Sequence, residues 1–124
     1  MLRTVLATLA AVLLATSINA VAQPKTAMKA ADGTLTNAAG MTLYVFDKDA
    51  GGKSACNGPC AANWPPLMVV GDATGSGDWT IVVRDDGGKQ WAYKGKPLYT
   101  WSKDGKAGDK TGDNVNNVWH VAKD

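Results

Sequence analysis

The alternation of apolar and polar residues predicts short β-strands. Residues 41–46 alternate, which places Tyr44 and Phe46 on one face of a strand and Leu43 and Val45 on the other.

A hairpin is predicted in the second half of the chain. The β-branched run at 80–84 is followed by the turn residues 85–88 and by the alternating run at 89–93. Residues 98–101 and 118–121 predict two further strands.

Helical signals are weak. Beyond the N-terminal segment no stretch shows an apolar period of about 3.6 residues, and we expect at most a helical turn at 61–63. Residues 23–31 are polar and alanine-rich and predict a loose lead into the first strand.

The chain repeats itself at an offset of 55 residues, in the frame G-x-x-L-Y-x-(F/W)-x-K-D. The first copy and its following tryptophan give the motif residues Gly40, Leu43, Tyr44, Phe46, Asp49 and Trp64; the second gives Gly95, Leu98, Tyr99, Trp101, Asp104 and Trp119. We therefore predict a mainly β fold, a single small domain of two related antiparallel β repeats at about 32–70 and 79–124. Each copy is too small to bury its own aromatic face, so we expect the two to pack around a pseudo-twofold axis.

The N-terminus predicts export. Residues 1–22 combine a positive start, a short apolar run and an A-x-A pattern that ends at Ala22, which indicates a signal peptide cleaved there, with Ala20 as the neighbouring site. The apolar run is shorter than the roughly 20 residues of a spanning helix, so we predict no membrane insertion after cleavage. No cysteine lies near this site to carry a lipid. Residues 23–124 are the predicted secreted domain.

The net charge and the amino-acid composition limit which partners and which secondary structures are expected. Without Arg3 the basic residues fall from 13 to 12 against 11 acids, and so small an excess predicts no nucleic-acid partner. Every acid is an aspartate, and aspartate with 14 glycines favours turns over helix interiors.

Cys56 and Cys60 are the two cysteines of the chain, and an oxidising compartment favours a disulfide between them. Closing so small a loop contributes about 2 kcal/mol in the chain-entropy model, so the bridge would fix a local loop.

The alternative is a copper or redox site. A C-x3-C pair with a distant histidine resembles the copper layout of certain thioredoxin-like copper chaperones, and here His120 would join Cys56 and Cys60, with Met41 and Met68 as thioether candidates. No C-x-x-C motif accompanies it, and strand alternation places His120 opposite Trp119, towards the surface.

Aspartates in the turns allow two interpretations, calcium binding or capping of backbone N–H groups. The candidates are Asp47, Asp49, Asp104, Asp109 and Asp113. A chain without glutamate lacks the bidentate ligand of a calcium loop, so capping is favoured.

Paired aromatics could form a stacking platform for a glycan, but such pairs are more typical of a core. Buried tyrosine hydroxyls would then need partners, and the repeated aspartates are candidates. No nucleophile–base pair or G-x-S-x-G motif is present, and we predict no enzyme activity.

The motif pair resembles a family of bacterial secreted repeat proteins, often predicted lipoproteins, with a Y-x-(F/W/Y)-x-x-D motif. The block at 54–67, SACNGPCAANWPPL, is similar to the family's S-x-C-x-G-x-C-A-x-x-W-P-P-L, and the G-D-x-x-G stretch at 108–112 precedes Trp119 as in the second family repeat. The resemblance covers about 32–124. Two departures are the missing lipobox cysteine and fewer glycines at 114–117. It implies a fold and a compartment, since the family has no agreed activity.

Together these features predict an exported, soluble, periplasmic or secreted protein. We expect a non-enzymatic binding or interaction module whose partner is a small molecule or an envelope protein, without a cofactor. Copper binding and glycan binding are the alternatives.

Overall fold

A computed structural model describes residues 27–124, so the predicted signal peptide and its cleavage site lie outside the described residues. The elements in chain order are β1 (Ala27–Lys29), β2 (Leu35–Asn37), β3 (Tyr44–Phe46), α1 (Pro59–Asn63), β4 (Trp79–Val83), β5 (Lys89–Tyr93), β6 (Lys96–Pro97), a 3₁₀ turn (Val115–Asn117) and β7 (Trp119–Val121). Strands dominate and the single α-helix of the described part has one turn, as predicted. Within 27–124 no helix has the length and apolarity to cross a membrane.

Three small antiparallel sheets make up the described fold. β1 pairs with β2, β3 pairs with β7, and β4, β5 and β6 form a three-stranded sheet. The predicted hairpin is β4–β5, with Trp79 opposite Tyr93 and Val83 opposite Lys89. Its turn uses Gly87, whose φ of 86° is a conformation that glycine adopts without steric cost.

The two repeats exchange their last segments. Leu67, at the end of repeat one, donates its N–H to Leu98 and accepts from Trp91, both in repeat two. At the end of repeat two, Ala122 donates to Leu43 and accepts from Leu35 in repeat one. Each repeat is therefore completed by a segment of the other, which accounts for their folding as one domain.

A local twofold axis passes between the two motif tyrosines. Tyr44 donates its N–H to the carbonyl of Tyr99 at 2.7 Å, and Tyr99 donates to the carbonyl of Tyr44 at 3.0 Å. Residues that correspond at the 55-residue offset thus face each other across the axis.

The core has an aliphatic-rich part and an aromatic part. Leu43 and Leu98 are fully buried in the first, and Tyr44 and Tyr99 are fully buried in the second. The predicted alternation of β3 is confirmed, because Phe46 follows Tyr44 into the aromatic part and Val45 follows Leu43 into the other.

Two predictions about strands are wrong. The lead at 23–31 contains β1, whose Ala27 is buried beside β2. Residues 98–101 form isolated bridges rather than a continuous strand, since Tyr99 bridges to Pro66 and Thr100 donates to Pro65. Proline has no N–H to return, so the ladder that β3 and β7 form in the other half is interrupted here.

Candidate functional site

Four aromatic rings form one face-to-face stack across the twofold axis, in the order Phe46, Trp119, Trp64, Trp101. The two inner rings are 3.8 Å apart with an interplanar angle of 4°. The outer contacts are 4.2 Å for Phe46 on Trp119 and 3.9 Å for Trp101 on Trp64. Every contact in the stack joins a ring of one repeat to a ring of the other. Phe46 of repeat one packs on Trp119 of repeat two, and Trp101 of repeat two packs on Trp64 of repeat one.

The motif tyrosines pack edge-on against the inner rings. Tyr44 meets Trp64 at 5.3 Å and 78°, and Tyr99 meets Trp119 at 5.1 Å and 90°. Because both faces of each inner indole are covered by its stacking neighbours, the nearly perpendicular tyrosine ring meets the indole at its edge, one of the favoured arrangements of aromatic pairs.

Each tyrosine hydroxyl donates to the motif aspartate of the other repeat. Tyr44 donates to Asp104 and Tyr99 donates to Asp49, both at 2.7 Å. The pairing of repeated tyrosines with repeated aspartates agrees with the sequence analysis, but its crossing between repeats was not predicted.

Burial is the largest influence on the pKa values of Tyr44, Tyr99 and Asp49. It raises the pKa of Tyr44 and of Tyr99 well above the ordinary tyrosine value, and the hydrogen bond to a carboxylate raises both further. Burial also raises the pKa of Asp49, against the lowering effect of the hydrogen bonds from the Ala55 N–H and from Tyr99. Both phenols are therefore neutral at physiological pH.

Arg84 is a buried cation next to the Tyr99–Asp49 pair, 5% exposed at the end of β4. Its Nη1 donates to the Ser54 hydroxyl at 3.0 Å and to the Gln90 amide oxygen at 2.8 Å, and its Nη2 donates to the Cys56 carbonyl at 2.6 Å. The Ser54 hydroxyl lies 2.6 Å from the Tyr99 hydroxyl, so one network joins Arg84 to the centre of the molecule. The run 80–84 predicted the strand but not this role.

Cys56 and Cys60 are bonded to each other, and their sulfur atoms belong to the aromatic part of the core. In this state neither sulfur is a thiolate, so copper binding by the pair would require reduction first. Among residues 27–124 no group of three His, Cys, Asp or Glu side chains is placed to hold a metal ion. The copper hypothesis remains a prediction.

His120 lies on the outward side of β7, opposite Trp119, as the alternation predicted. Its Nε2 is 2.7 Å from a carboxylate oxygen of Asp47, and its Nδ1 is 3.2 Å from the side-chain oxygen of Asn114. These partners are 73 and 6 residues away in the chain. No sequence pattern joined them.

The remaining turn aspartates cap backbone groups, as expected. Asp109 accepts from the N–H groups of Gly105 and Lys106, and Asp113 accepts from Val121. The motif glycines also serve turns, since Gly40 has a φ of 82° and Gly95 a φ of 81°.

Tryptophan exposure bears on the glycan hypothesis. Four tryptophans are at most 6% exposed, namely Trp64, Trp79, Trp91 and Trp119. Trp101 is half-buried at one end of the ring stack. A platform of exposed rings is not formed by the described residues, and glycan binding remains a prediction.

A cavity of about 350 Å³ opens beside His120, between β7 and the β5–β6 turn. Its apolar lining includes Val45, Leu98, Val121 and Ala122, and its polar lining includes Asp47, Tyr93, Lys94, Lys96, His120 and Lys123. No sequence pattern indicated this site, because its lysines come from the β5–β6 hairpin and from the C-terminal segment that follows β7.

The fold and these contacts define a class of protein, a small β domain of two interlocked repeats related by a twofold axis. A family model described as a secreted repeat of unknown function matches residues 26–68 and again 80–123. The chain belongs to this family of secreted repeat proteins. Searches of the curated proteins and of the solved structures found no significant match.

Proposed function

We propose that this protein is a periplasmic or secreted, non-enzymatic module that binds a small amphipathic anion in the cavity beside β7. The observation that carries the proposal is the convergence of Lys94, Lys96 and Lys123 on one cavity with an apolar lining. A volume of about 350 Å³ lies within the usual range of small-molecule sites.

The three lysines lack close carboxylate partners, although Lys94 lies near enough to Asp124 to help lower the pKa of that carboxyl group. Among residues 27–124 none of them forms an ion pair within 4.0 Å. Two acids close to the cavity have other partners, because Asp47 is bonded to His120 and Asp124 is bonded to Lys29. A bound carboxylate or phosphate would supply the missing negative charge.

Lys94 occupies an unfavourable backbone conformation at the rim. Its φ is 50° in the two-residue turn before Gly95, a position where asparagine, aspartate or glycine is usual. Its ammonium group lies over the ring of Tyr93, 5.3 Å from the centroid, and both side chains line the cavity, which is where a bound anion would use the charge.

Calorimetric titration of the purified protein tests the proposal. We expect octanoate and octyl phosphate to bind, and the neutral analogue octanamide to bind at least about tenfold more weakly. Changing both Lys96→Gln and Lys123→Gln should weaken binding roughly tenfold, since each partly exposed charge contact contributes up to about 1 kcal/mol.

The matched control is Lys53→Gln with Lys89→Gln, two exposed lysines outside the cavity. The control should bind as the unchanged protein does. Equal binding of octanamide and octanoate, or equal weakening by both pairs of substitutions, would refute the site.

A further inference from the structure

We propose that the ring stack and its two tyrosine–aspartate pairs form a site for one-electron oxidation, in which an oxidising equivalent enters at Trp101 and comes to rest on Tyr99 or Tyr44. The oxidants are small radicals of the peroxyl class. The proposal is independent of the anion cavity.

Continuity of the stack carries the first step. Trp101, Trp64 and Trp119 are stacked at 3.9 and 3.8 Å, so their π systems are in direct contact. Trp101 is half-buried whereas both inner rings are buried, so oxidants meet Trp101 first. At the opposite end Phe46 is much harder to oxidise than an indole. The stack can therefore be oxidised from the Trp101 end alone.

The tyrosine–aspartate pairs carry the second step. Tyr99 lies against Trp119 at 5.1 Å between ring centroids, and Tyr44 lies against Trp64 at 5.3 Å, each at the edge of an indole whose two faces are covered by the stack. Each hydroxyl is 2.7 Å from a carboxylate oxygen, within the range for direct proton transfer. A phenol that loses an electron becomes a strong acid, and the carboxylate is there to accept its proton. The raised pKa of Asp49 makes that acceptor more basic.

Electrons and protons balance in both steps. A peroxyl radical takes one electron from Trp101 and one proton from water, which gives a hydroperoxide, hydroxide and an indole radical cation. Trp64 then gives one electron to the Trp101 radical cation, and Trp119 gives one electron to Trp64, so that the radical cation moves along the stack to Trp119. Tyr99 then gives one electron to Trp119 and its phenolic proton to Asp49, leaving a neutral tyrosyl radical, a protonated carboxyl group and intact tryptophans. Tyr44, Trp64 and Asp104 have the same arrangement.

Packing alone does not account for these pairs. Asp104 is 8% exposed and both tyrosines are fully buried. Removing carboxylates and hydroxyls from water is costly, and apolar side chains of similar volume would fill the same space without that cost. Each carboxylate caps a backbone N–H, that of Ala55 for Asp49 and that of Thr111 for Asp104, and in addition places a proton acceptor beside a buried phenol.

Flash photolysis of the full-length exported protein tests the relay, with photogenerated ruthenium(III) tris-bipyridine as the one-electron oxidant. We expect an indole radical absorption that converts into a tyrosyl absorption, more slowly in heavy water because a proton moves with the electron. In the doubly substituted Tyr44→Phe, Tyr99→Phe protein the tyrosyl signal should be lost and the indole radical should persist. Trp101→Phe should slow the first oxidation.

Tyr93→Phe and Trp79→Phe are the matched controls, because Tyr93 and Trp79 lie outside the stack; both should leave the sequence of signals unchanged. A tyrosyl signal that survives in the double variant, or that disappears in Tyr93→Phe, would overturn the proposal. If the double variant does not fold, Trp101→Phe and the heavy-water measurement on the unchanged protein decide: an unaltered first oxidation together with no isotope effect refutes the relay.

Discussion

Each motif tyrosine is hydrogen-bonded to the motif aspartate of the other repeat. Tyr44 bonds to Asp104 and Tyr99 to Asp49, so neither repeat can satisfy its own tyrosine. An unpaired buried hydroxyl or carboxylate costs about 1–3 kcal/mol or more. The spacing of the motif therefore encodes the contact between the repeats as well as the strand within each.

Asp49 should make stability depend on pH. Its folded-state pKa is raised above the ordinary value of 3.8 by burial. The folded state thus holds the proton more tightly than the unfolded state, and the contribution is fully present below pH 3.8 and is lost as the pH rises through the folded pKa. Relative to Asp49→Asn, the unchanged protein should gain free energy of unfolding as the pH falls from neutral, measured by urea denaturation.

Asp72→Asn, in an exposed loop, is the control for this comparison. A difference between the unchanged protein and Asp49→Asn that stays constant with pH, or shrinks as the pH falls, would contradict the raised pKa.

Gly112 sits directly against the ring stack. A methyl group there would lie 2.8 Å from the Trp64 ring and 3.0 Å from Trp101. Its N–H also donates to the Tyr44 hydroxyl. Gly112→Ala should lower the free energy of unfolding by about 1–3 kcal/mol through overpacking and should weaken the near-ultraviolet circular dichroism of the stacked indoles. Gly105→Ala is the control for the contact, because Gly105 also lacks a positive φ and a methyl group there meets only an Asp109 oxygen at 3.7 Å; an equal loss in both would place the cause outside the ring contact.

Among the elements, local patterns were predictable and contacts between distant segments were not. The β4–β5 hairpin follows from a β-branched run, a turn and an alternating run within 15 residues. β1 was missed because Ala27 gives little apolar signal and its burial depends on the rest of the fold. The break at 98–101 results from Pro65 and Pro66, more than 30 residues away, which the strand itself does not reveal.

Arg84 ties the β4–β5 hairpin to the loop that follows β3. Removing the guanidinium leaves the Gln90 oxygen and the Cys56 carbonyl without the donors they use. Arg84→Ala should cost about 2–5 kcal/mol, because two buried acceptors lose their donor at about 1–3 kcal/mol each. Urea denaturation measures this, with Lys89→Ala on the exposed side of the same hairpin as the control. A loss below about 1 kcal/mol would show that water replaces the guanidinium, since unsatisfied buried groups cost more than that.

The disulfide stabilises its own loop, and the corresponding loop of repeat two shows why the effect is small. Val115 corresponds to Cys60 at the 55-residue offset and lies in a 3₁₀ turn without any bridge. Changing both cysteines to alanine should cost about 2 kcal/mol, the chain-entropy value for so short a loop. Thermal unfolding measures the loss. Complete unfolding at room temperature would show that the bridge supports the whole domain.

At the scale of the molecule, the duplication of the repeat and the exchange of the last segments both make the core depend on the two repeats together. The aliphatic-rich core is completed by Leu67 of repeat one and Ala122 of repeat two, each paired with strands of the other repeat. The ring stack likewise alternates between repeats at each contact. Both parts of the core therefore form only when the two halves are together.

Neither half should fold alone, and the loop between them offers a place to separate them. Residues 70–78 are all exposed, so a cut there removes no buried contact. We expect a peptide of 23–74 and one of 75–124 each to lack the near-ultraviolet signal of stacked indoles, since Trp64 and Trp119 then belong to different molecules. Mixing the two should restore the signal at a one-to-one ratio, because reciprocal hydrogen bonds at Tyr44 and Tyr99 and the exchanged segments remain available.

Tyr44→Phe in the first peptide should weaken this association, whereas Thr80→Ala, exposed on β4 of the second, should not. A folded, monomeric half on its own would show that each repeat closes on itself, and would refute exchange as the reason for the duplication.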